Sequence, residues 1–277
     1  MTTPSPASRT AQEQEQEQAQ AQAREQEQAQ VRARSFNSAA AQYAANRPSY
    51  PPALFDAIEE LSGRPLAGAL VADVGAGTGI ATALLRQRGA EIIAVEPGDG
   101  MAAQFRRTLP DVLLVRGDGD HLPLTDASVD LVTYAQAWHW TDPARSLPEA
   151  RRVLRPGGAL ALWWNRDALD VPWIAEQSDR IRRHFARDLA TEMRRITESA
   201  TSAPSGLDFT VRRVRWSRQV PLDTHLANLA SHSIFLVADE DHRTTFLAQE
   251  RAHLLRHFPD EVIEETYDVD LLLARKP

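Results

Sequence analysis

Short hydrophobic runs alternate with segments of helical length over the first half of the chain. The apolar runs cover residues 69–75, 91–96, 112–117, 130–136 and 159–165. Such runs are typical of strands that are buried on both faces of a sheet. Helical segments lie between most of them, for example Thr78–Arg88 and Pro143–Leu154, and the second ends at Pro156 and two glycines. Alternating strands and helices predict a doubly wound, mostly parallel α/β sheet with helices on both faces.

The pattern changes after Asn165. Residues 172–200 are rich in arginine and helix formers, and residues 223–257 also have a helical pattern. Two further strands are predicted, an alternating one at 210–220 and a closing one within 261–277. The expected architecture is a seven-stranded sheet, together with a helical insertion or cap within residues 166–260.

The first 34 residues differ from the rest in composition. They are dominated by Glu, Gln and Ala and contain almost no large apolar side chains. Such a segment cannot bury enough surface to offset the entropy of ordering, so a disordered or weakly helical tail is predicted. The folded domain is expected to span residues 35–277, with residues 35–165 forming the ligand-binding half.

Composition excludes several classes of protein. The chain has no cysteine, which rules out disulfides and thiolate metal sites. It contains neither an apolar run of about 18 residues nor the layout of a signal peptide, so no membrane partner and a cytoplasmic location are expected. A net charge of −7 argues against a nucleic-acid partner, because phosphate binding requires a basic surface. The histidines show no metal-ligand spacing, and no metal is expected.

A glycine-rich loop follows the first predicted strand and opens a helix. Gly75, Gly77 and Gly79 allow positive φ angles and a close approach of a ligand to the backbone. The loop does not match the G-x-G-x-x-G pattern of NAD-binding proteins, because Ile80 stands where the third glycine belongs, and no Gly-Lys-Ser/Thr follows as in a P-loop. The alternative interpretation is a tight strand-to-helix turn without a ligand.

Acidic residues stand at the ends of three successive strands. Asp73 precedes the glycine loop, and Glu96 ends the second strand, where a carboxylate can accept hydrogen bonds from both hydroxyls of a ribose. Asp118 ends the third strand, where it can accept a hydrogen bond from an adenine amine. Each acid alone could instead cap a helix or lie in a solvated turn. Together they indicate a nucleoside-like ligand.

In these features the chain resembles the class I, Rossmann-like S-adenosylmethionine-dependent methyltransferases of the small-molecule branch. The resemblance extends from about residue 36 to the C-terminus. Its motifs are YAANRPSYP (43–51), DVGAGTG (73–79), VEPGDGM (95–101), GDGDHLPL (117–124), SVDLVTYAQAWHW (128–140) and EARRVLRPGGALALWWN (149–165).

The resemblance implies a set of residues that bind S-adenosylmethionine. Asp73 and the three loop glycines would surround its methionyl part, together with Gln136 and Ala137. Glu96 would bind the ribose, and Asp118 the adenine ring, against which Met101 would pack. Tyr43 and Arg47 would close over the methionyl end. Pro97 and Gly119 complete the predicted cofactor-binding residues.

The acceptor is expected to enter beside a histidine flanked by two tryptophans. His139 is the candidate general base, since its ordinary pKa near ~6.5 suits proton abstraction at neutral pH. The alternative is a structural histidine that only shapes the pocket wall. Trp138, Trp140, Asn165 and His232 are predicted to bind the substrate. The alternatives are structural: the tryptophans would anchor the loop, Asn165 would only end the strand, and His232 would lie on the surface of a helix.

The predicted activity is methyl transfer by in-line displacement from S-adenosylmethionine to an O, N or C atom of a small molecule, by a monomer or homodimer. One alternative is an RNA or protein methyltransferase, since the chain from Arg180 to Arg218 contains ten arginines and four acidic residues. A second alternative is a non-catalytic S-adenosylmethionine-binding protein. A third is an NAD-dependent oxidoreductase, which the presence of Ile80 in place of the third glycine makes less suitable.

Overall fold

A single seven-stranded sheet organises the molecule. The computed structural model describes residues 40, 43–185 and 207–277, so the predicted tail and most of the arginine-rich stretch 172–200 lie outside the described residues. The strands are β1 (Leu70–Val74), β2 (Glu91–Val95), β3 (Leu113–Val115), β4 (Val129–Ala135), β5 (Leu154–Asp167), β6 (Thr210–Pro221) and β7 (Val262–Arg275). Their order across the sheet is β3-β2-β1-β4-β5-β7-β6.

The predicted doubly wound sheet is confirmed. Strands β1 to β5 pair in parallel, whereas β7 pairs antiparallel with both β5 and β6. The chain runs outward from β1 through β2 to β3 and then returns to add β4 on the other side of β1. Open α/β sheets bind ligands at the carboxyl ends of the strands beside such a reversal. The topology therefore points to the carboxyl ends of β1 and β4.

Helices cover both faces of the sheet. They are α1 (Pro52–Ser62), α2 (Ile80–Gln87), α3 (Asp99–Thr108), α4 (Pro143–Val153), α5 (Pro172–His184), α6 (Leu222–Ala230), α7 (Ser233–Val237) and α8 (Glu240–His257). On one face, Phe55 and Ile58 of α1 and Leu85 of α2 belong to the same apolar core as Trp163 of β5. On the other face, α4 packs its apolar side chains against β4 and β5.

The predicted helical cap has a core of its own. Phe185, after α5, packs edge to face against Phe235 of α7 and also contacts Phe246 of α8. The predicted helical stretch 223–257 is interrupted at residues 231–232 and 238–239, which divide it into α6, α7 and α8. None of the described helices is both long and apolar enough to cross a membrane.

Strand β3 is shorter than predicted. Residues 112–117 are apolar enough for a full strand, but only Leu113–Val115 pair with β2. The strand lies at the edge of the sheet, and the Leu113 side chain is 59% exposed. An edge position explains why the apolar run does not extend the pairing.

Candidate active site

A cavity of about 600 Å³ opens at the carboxyl ends of β1, β2 and β4, where the strand order reverses. All but three of the predicted site residues line it, although they come from seven separate stretches of the chain. These lining residues are Tyr43, Arg47, Gly75, Gly77, Glu96, Pro97, Met101, Asp118, Gly119, Gln136, Ala137, His139, Trp140, Asn165 and His232. The three exceptions, Asp73, Gly79 and Trp138, point into the protein.

The glycine loop divides between the cavity and the core. Gly75 and Gly77 have φ angles of +67° and +57° and both line the cavity. A Cβ at Gly77 would meet no atom closer than 3.9 Å, so the missing side chain leaves space beside the loop. The prediction for Gly79 needs correction: a Cβ there would lie 2.6 Å from Leu109 and 3.0 Å from Phe105. Gly79 therefore lets the loop pack against α3.

Asp73 is also corrected, because its side chain is fully buried and does not line the cavity. One carboxylate oxygen accepts a hydrogen bond of 2.5 Å from Thr82, and the other accepts one of 2.9 Å from Thr133. These contacts tie the end of β1 to α2 and β4. Asp73 thus holds the glycine loop in place from the core side of the sheet and does not line the cavity.

The burial of Asp73 leads to a prediction about stability. Burial raises the pKa of Asp73 from its ordinary value of 3.8 to about 6, although hydrogen bonds from Thr82 and Thr133 oppose the shift. The folded state therefore favours the protonated acid. The corresponding stability is present below pH 3.8 and is lost as the pH rises through about 6. The difference amounts to about 3 kcal/mol.

Asp73→Asn keeps the shape of the side chain and cannot ionise. Urea denaturation should therefore show the free energy of unfolding of the wild type falling relative to that of Asp73→Asn between pH 4 and 7. The exposed Asp111 provides the matched control, Asp111→Asn, which should show no such divergence. Parallel curves for the wild type and Asp73→Asn would contradict the assignment.

Glu96 joins the glycine loop to the end of β2. Its side chain lines the cavity yet is only 6% exposed. One oxygen accepts a hydrogen bond of 2.8 Å from the Gly77 amide, and the other accepts one of 2.6 Å from the Gly98 amide. Burial raises the pKa of Glu96, while these two amides lower it. A carboxylate held in this way has a fixed position at the cavity wall.

The predicted adenine end is formed after β2 and β3. Asp118 lines the cavity, and its Oδ1 also accepts hydrogen bonds of 3.0 Å from the amides of Asp120 and His121. It therefore orders a turn as well as contributing a carboxylate to the cavity. Met101, only 7% exposed, supplies an apolar surface nearby. Pro97 and Gly119 complete this wall.

The opposite end of the cavity lies between β4 and the segment before α1. Gln136 follows β4 with a φ angle of +58°, which is unusual for a residue other than glycine, and Ala137 contacts the position of Gly75. Arg47 lies over the Tyr43 ring and donates a hydrogen bond of 3.2 Å to the Ser231 carbonyl. Its Nε is buried and has no hydrogen-bond partner among the described residues.

The Trp138-His139-Trp140 stretch forms a 3₁₀ turn after β4. One of its side chains points into the core and two line the cavity. Trp138 is 1% exposed and packs edge to face against Tyr134, so its predicted contact with substrate is wrong: its ring belongs to the core. Trp140 is 38% exposed and lines the cavity beside His139. His139 Nδ1 accepts a hydrogen bond of 3.3 Å from the Trp164 indole. A neutral His139 in this arrangement carries its proton on Nε2.

Asn165 and His232 line the cavity, as do Trp164, Arg166 and Ser233 beside them. The Asn165 amide donates to the Ser49 carbonyl at 3.0 Å and its oxygen accepts from the Trp216 indole at 3.0 Å. Its side chain therefore joins three parts of the chain.

His232 precedes α7. Its burial, together with the charges of Arg47 and His225, holds its pKa well below the ordinary 6.5. It is neutral at physiological pH.

Several lining residues were not predicted. They are Val74, Gly98, Asp99, Tyr134, Ala135, Thr141, Trp164, Arg166 and Ser233. Trp164 is the most informative, because it contacts His139 from β5. The sequence did contain a signal for Trp164, because successive side chains of a strand point to opposite faces of the sheet. Trp163 packs in the core below α1, so Trp164 faces the other side.

The residues present fit S-adenosylmethionine. Gly77 leaves a backbone-walled space, Glu96 offers a carboxylate suited to two hydroxyls, and Met101 offers an apolar face. The buried Nε of Arg47 lacks a partner, which suits a cavity that receives a carboxylate. Among the described residues, no group of three His, Cys, Asp or Glu side chains could hold a metal ion.

Comparison with known proteins agrees with the fold. Residues 72–162 match the family described as a methyltransferase domain. A Mycobacterium tuberculosis protein designated an uncharacterized methyltransferase is 38% identical over 225 residues, which cover 80% of this chain and 86% of that protein. A demethylmenaquinone methyltransferase from Beutenbergia cavernae is 30% identical, over 59% of this chain and 65% of its own length.

A solved structure from Anaeromyxobacter dehalogenans, assigned as a type II methyltransferase, superimposes with a TM-score of 0.65. It is 28% identical, and the match covers 83% of this chain and 97% of that one. The order of the strands, with a cavity where that order reverses beside β1, defines a Rossmann-like fold. The chain belongs to the class I methyltransferases, a family whose fold implies S-adenosylmethionine as methyl donor.

Proposed function

We propose that this enzyme transfers a methyl group from S-adenosylmethionine to an O, N or C atom of a small molecule. The observation that carries the proposal is the Glu96 carboxylate, which is fixed by Gly77 and Gly98 at the wall of the cavity. In this position it can accept hydrogen bonds from both ribose hydroxyls. The name of the demethylmenaquinone methyltransferase also supports a small-molecule acceptor.

The contribution of the protein is orientation and exclusion of water. When bound, S-adenosylmethionine supplies a methyl group that its sulfonium makes electrophilic. Glu96 and the Gly75–Gly77 backbone would fix the donor, while Gln136 and Ala137 flank its reactive end. Trp140 and Trp164 would shield the acceptor side from water. Orientation of this kind lowers a barrier by roughly 7–11 kcal/mol in favourable cases.

The charges along the cavity favour an uncharged or anionic acceptor. The carboxylates among the lining residues, Glu96, Asp99 and Asp118, all follow β2 and β3. The side formed by β4, β5 and the segment before α1 instead carries aromatic rings, neutral polar groups and two guanidinium groups, that of Arg47 and that of Arg166, which pairs with Asp270 at 2.8 Å. A cationic acceptor would meet no lining carboxylate there. An acceptor with an apolar body and an ionised oxygen fits this side best.

The arginines of β6 argue against an RNA acceptor. Arg212 pairs with Glu60 at 3.1 Å, and Arg213 pairs with Asp270 at 2.7 Å. Arg215 pairs with both Asp170 and Asp268. Carboxylates therefore neutralise this stretch, which in the sequence suggested an anion-binding surface. Arg194 and Arg195 lie outside the described residues.

Methylation assays with radiolabelled S-adenosylmethionine test the proposal. Extracted metabolites, total RNA and proteins are supplied separately, and formation of S-adenosylhomocysteine is followed. We expect label in an uncharged or anionic metabolite. Label in RNA or protein would support the other methyltransferases, and binding without turnover would support a non-catalytic protein. Calorimetry that detects NAD but not S-adenosylmethionine would favour an oxidoreductase.

The hydrogen bond to His139 predicts a modest role for this residue in catalysis. Because Nδ1 already accepts from Trp164, a neutral His139 carries its proton on Nε2, and neither ring nitrogen offers a lone pair that could abstract a proton from the acceptor. We expect His139→Gln, whose amide nitrogen can replace Nε2–H, to retain kcat within about ten-fold, below the ~10²-fold or greater loss typical of a missing base.

The matched variant is His139→Leu, which fills the space but cannot donate. It should lower kcat more than His139→Gln does, while the affinity for S-adenosylhomocysteine stays the same in both. The pH profile of kcat is the second measurement. Loss of an ionisation near neutral pH in both variants, together with a kcat at least about 100-fold lower, would show that His139 is the base after all.

A further inference from the structure

The segment 43–50 carries Tyr43 and Arg47 to the cavity and is held there by the C-terminal half of the chain. Its end is anchored in the core, where Tyr50 is 9% exposed and meets Trp163 edge to face at 5.8 Å. Residues 43–46 form a helical turn whose last carbonyls have no partner within a helix. The contacts of these carbonyls decide where Tyr43 and Arg47 lie.

Arg218 of β6 supplies those contacts. Its Nη2 donates to the Asn46 carbonyl at 3.0 Å, and its Nη1 donates to the Arg47 carbonyl at 3.4 Å. Arginine side chains can satisfy the free carbonyls at the end of a helix. Here the arginine comes from a strand far along the chain, so the turn is fixed by tertiary structure.

A buried anion holds Arg218 in place. Its Nε donates to Glu265 at 2.6 Å, and Glu265 is only 2% exposed. Burial by itself would raise the pKa of Glu265, but contacts with His225 and Arg218 lower it to about 2. Tyr267 and Asn228 also donate to this carboxylate. Glu265 is therefore an anion at any pH at which the enzyme would work.

Trp216, also on β6, holds the next part of the segment. Its indole donates to the Asn165 oxygen at 3.0 Å, and the Asn165 amide donates to the Ser49 carbonyl at 3.0 Å. Arg218 and Trp216 do not line the cavity. Arg218 reaches the cavity through the backbone of residues 46 and 47, and Trp216 reaches it through Asn165, which lines the cavity and bonds the backbone of Ser49.

We infer that Arg218 and Trp216 are positioning residues, which fix segment 43–50 so that Tyr43 and Arg47 close the methionyl end of the cofactor site. The inference rests on the proposed function. Cofactor affinity would then depend on two β6 side chains that never touch the cofactor. Rotation of the segment would withdraw Arg47 from the cavity without changing the glycine loop or Glu96.

The test compares Arg218→Met with Arg212→Met. Arg212 lies on the same strand, and within the described part of the chain its hydrogen bonds go to Glu60 and not to segment 43–50, so the control removes the same charge. Hydrogen–deuterium exchange is measured on the peptide covering residues 43–50, and calorimetry gives the Kd for S-adenosylhomocysteine. We expect exchange about ten-fold faster and a Kd about ten-fold higher in Arg218→Met only.

Two further variants separate positioning from general stability. Arg218→Lys keeps a cation beside Glu265 and should restore part of the affinity. Trp216→Phe keeps the ring but loses the donor to Asn165, and it should show a smaller change of the same kind. If Arg218→Met does not fold, Trp216→Phe decides the question.

Unchanged exchange at 43–50 in a folded Arg218→Met would overturn the inference, and so would faster exchange with an unchanged Kd. Failure of the proposed function has a different signature. In that case the wild type binds no S-adenosylhomocysteine, whereas the exchange experiment still shows whether Arg218 holds the segment.

Discussion

Glu96→Gln should lower the affinity for S-adenosylmethionine by about 100-fold, because a glutamine cannot replace the carboxylate at both of its contacts. Both oxygens of Glu96 accept from backbone amides, those of Gly77 and Gly98. In glutamine, one of these positions becomes an NH₂ group that faces another donor. The glycine loop is then pushed away from its position, and one acceptor for the ribose hydroxyls is lost.

The size of this effect follows from two losses. An unsatisfied buried donor costs about 1–3 kcal/mol, and a hydrogen bond to a charged group contributes about 1.5–3 kcal/mol. Even if the two overlap, a loss near 2.7 kcal/mol corresponds to about 100-fold in Kd. Calorimetric titration with S-adenosylhomocysteine measures it directly.

Glu91→Gln is the control for this prediction. Glu91 begins the same strand, β2, but its side chain is exposed and lies at the opposite end from the cavity. The control should bind like the wild type. Since burial raises the pKa of Glu96, wild-type affinity should also weaken as the pH falls into the mildly acidic range. Equal Kd values for Glu96→Gln and wild type would exclude Glu96 from the cofactor site.

The strands of the sheet could be predicted because their sequence signal is local. Continuous apolar runs predicted β1 to β5, an alternating run predicted β6, and the C-terminal stretch predicted the closing strand β7. The least accurate strand was β3, since the burial of an edge strand depends on neighbours that the run itself does not specify. The breaks within 223–257 were missed for a related reason: no proline or glycine marks them.

The site could be predicted at the level of loops and less well at the level of single side chains. Asp73, Gly79 and Trp138 belong to the correct loops, but they face the core and not the cavity. Adjacent residues in a tight turn point in different directions, as Trp138 and His139 do. A motif places a loop at the end of a strand, whereas packing decides which of its residues a ligand can reach.

Contacts between distant parts of the chain left no sequence signal. Ser49 and Asn165 are separated by 116 residues, and Asn46 and Arg218 by 172 residues. Backbone carbonyls accept the hydrogen bonds in both contacts, so the identity of residue 46 or 49 carries no information about its partner. The charges of β6 were visible in the sequence, but their carboxylate partners became identifiable only from the pairing of β6 with β7.

Gly75→Ala should strongly weaken cofactor binding, because it combines backbone strain with a steric overlap. Gly75 has a φ angle of +67°, and for alanine this left-handed conformation costs roughly 1–2 kcal/mol. The new Cβ would also lie 2.5 Å from the Cβ of Ala137. The loops after β1 and β4 must then separate, and they are the two loops that we propose flank the reactive end of the donor. We expect a Kd for S-adenosylhomocysteine at least about 100-fold higher.

Two variants separate overlap from strain. Gly68→Ala introduces the same kind of strain at a φ angle of +75°, but its Cβ meets no atom within 4 Å. It should lose some thermal stability and bind the cofactor normally. In the double variant Gly75→Ala with Ala137→Gly, the overlap disappears while the strain remains, so most of the affinity should return. No recovery in a folded double variant would mean that the conformation of residue 75, and not the spacing of the two loops, controls the site.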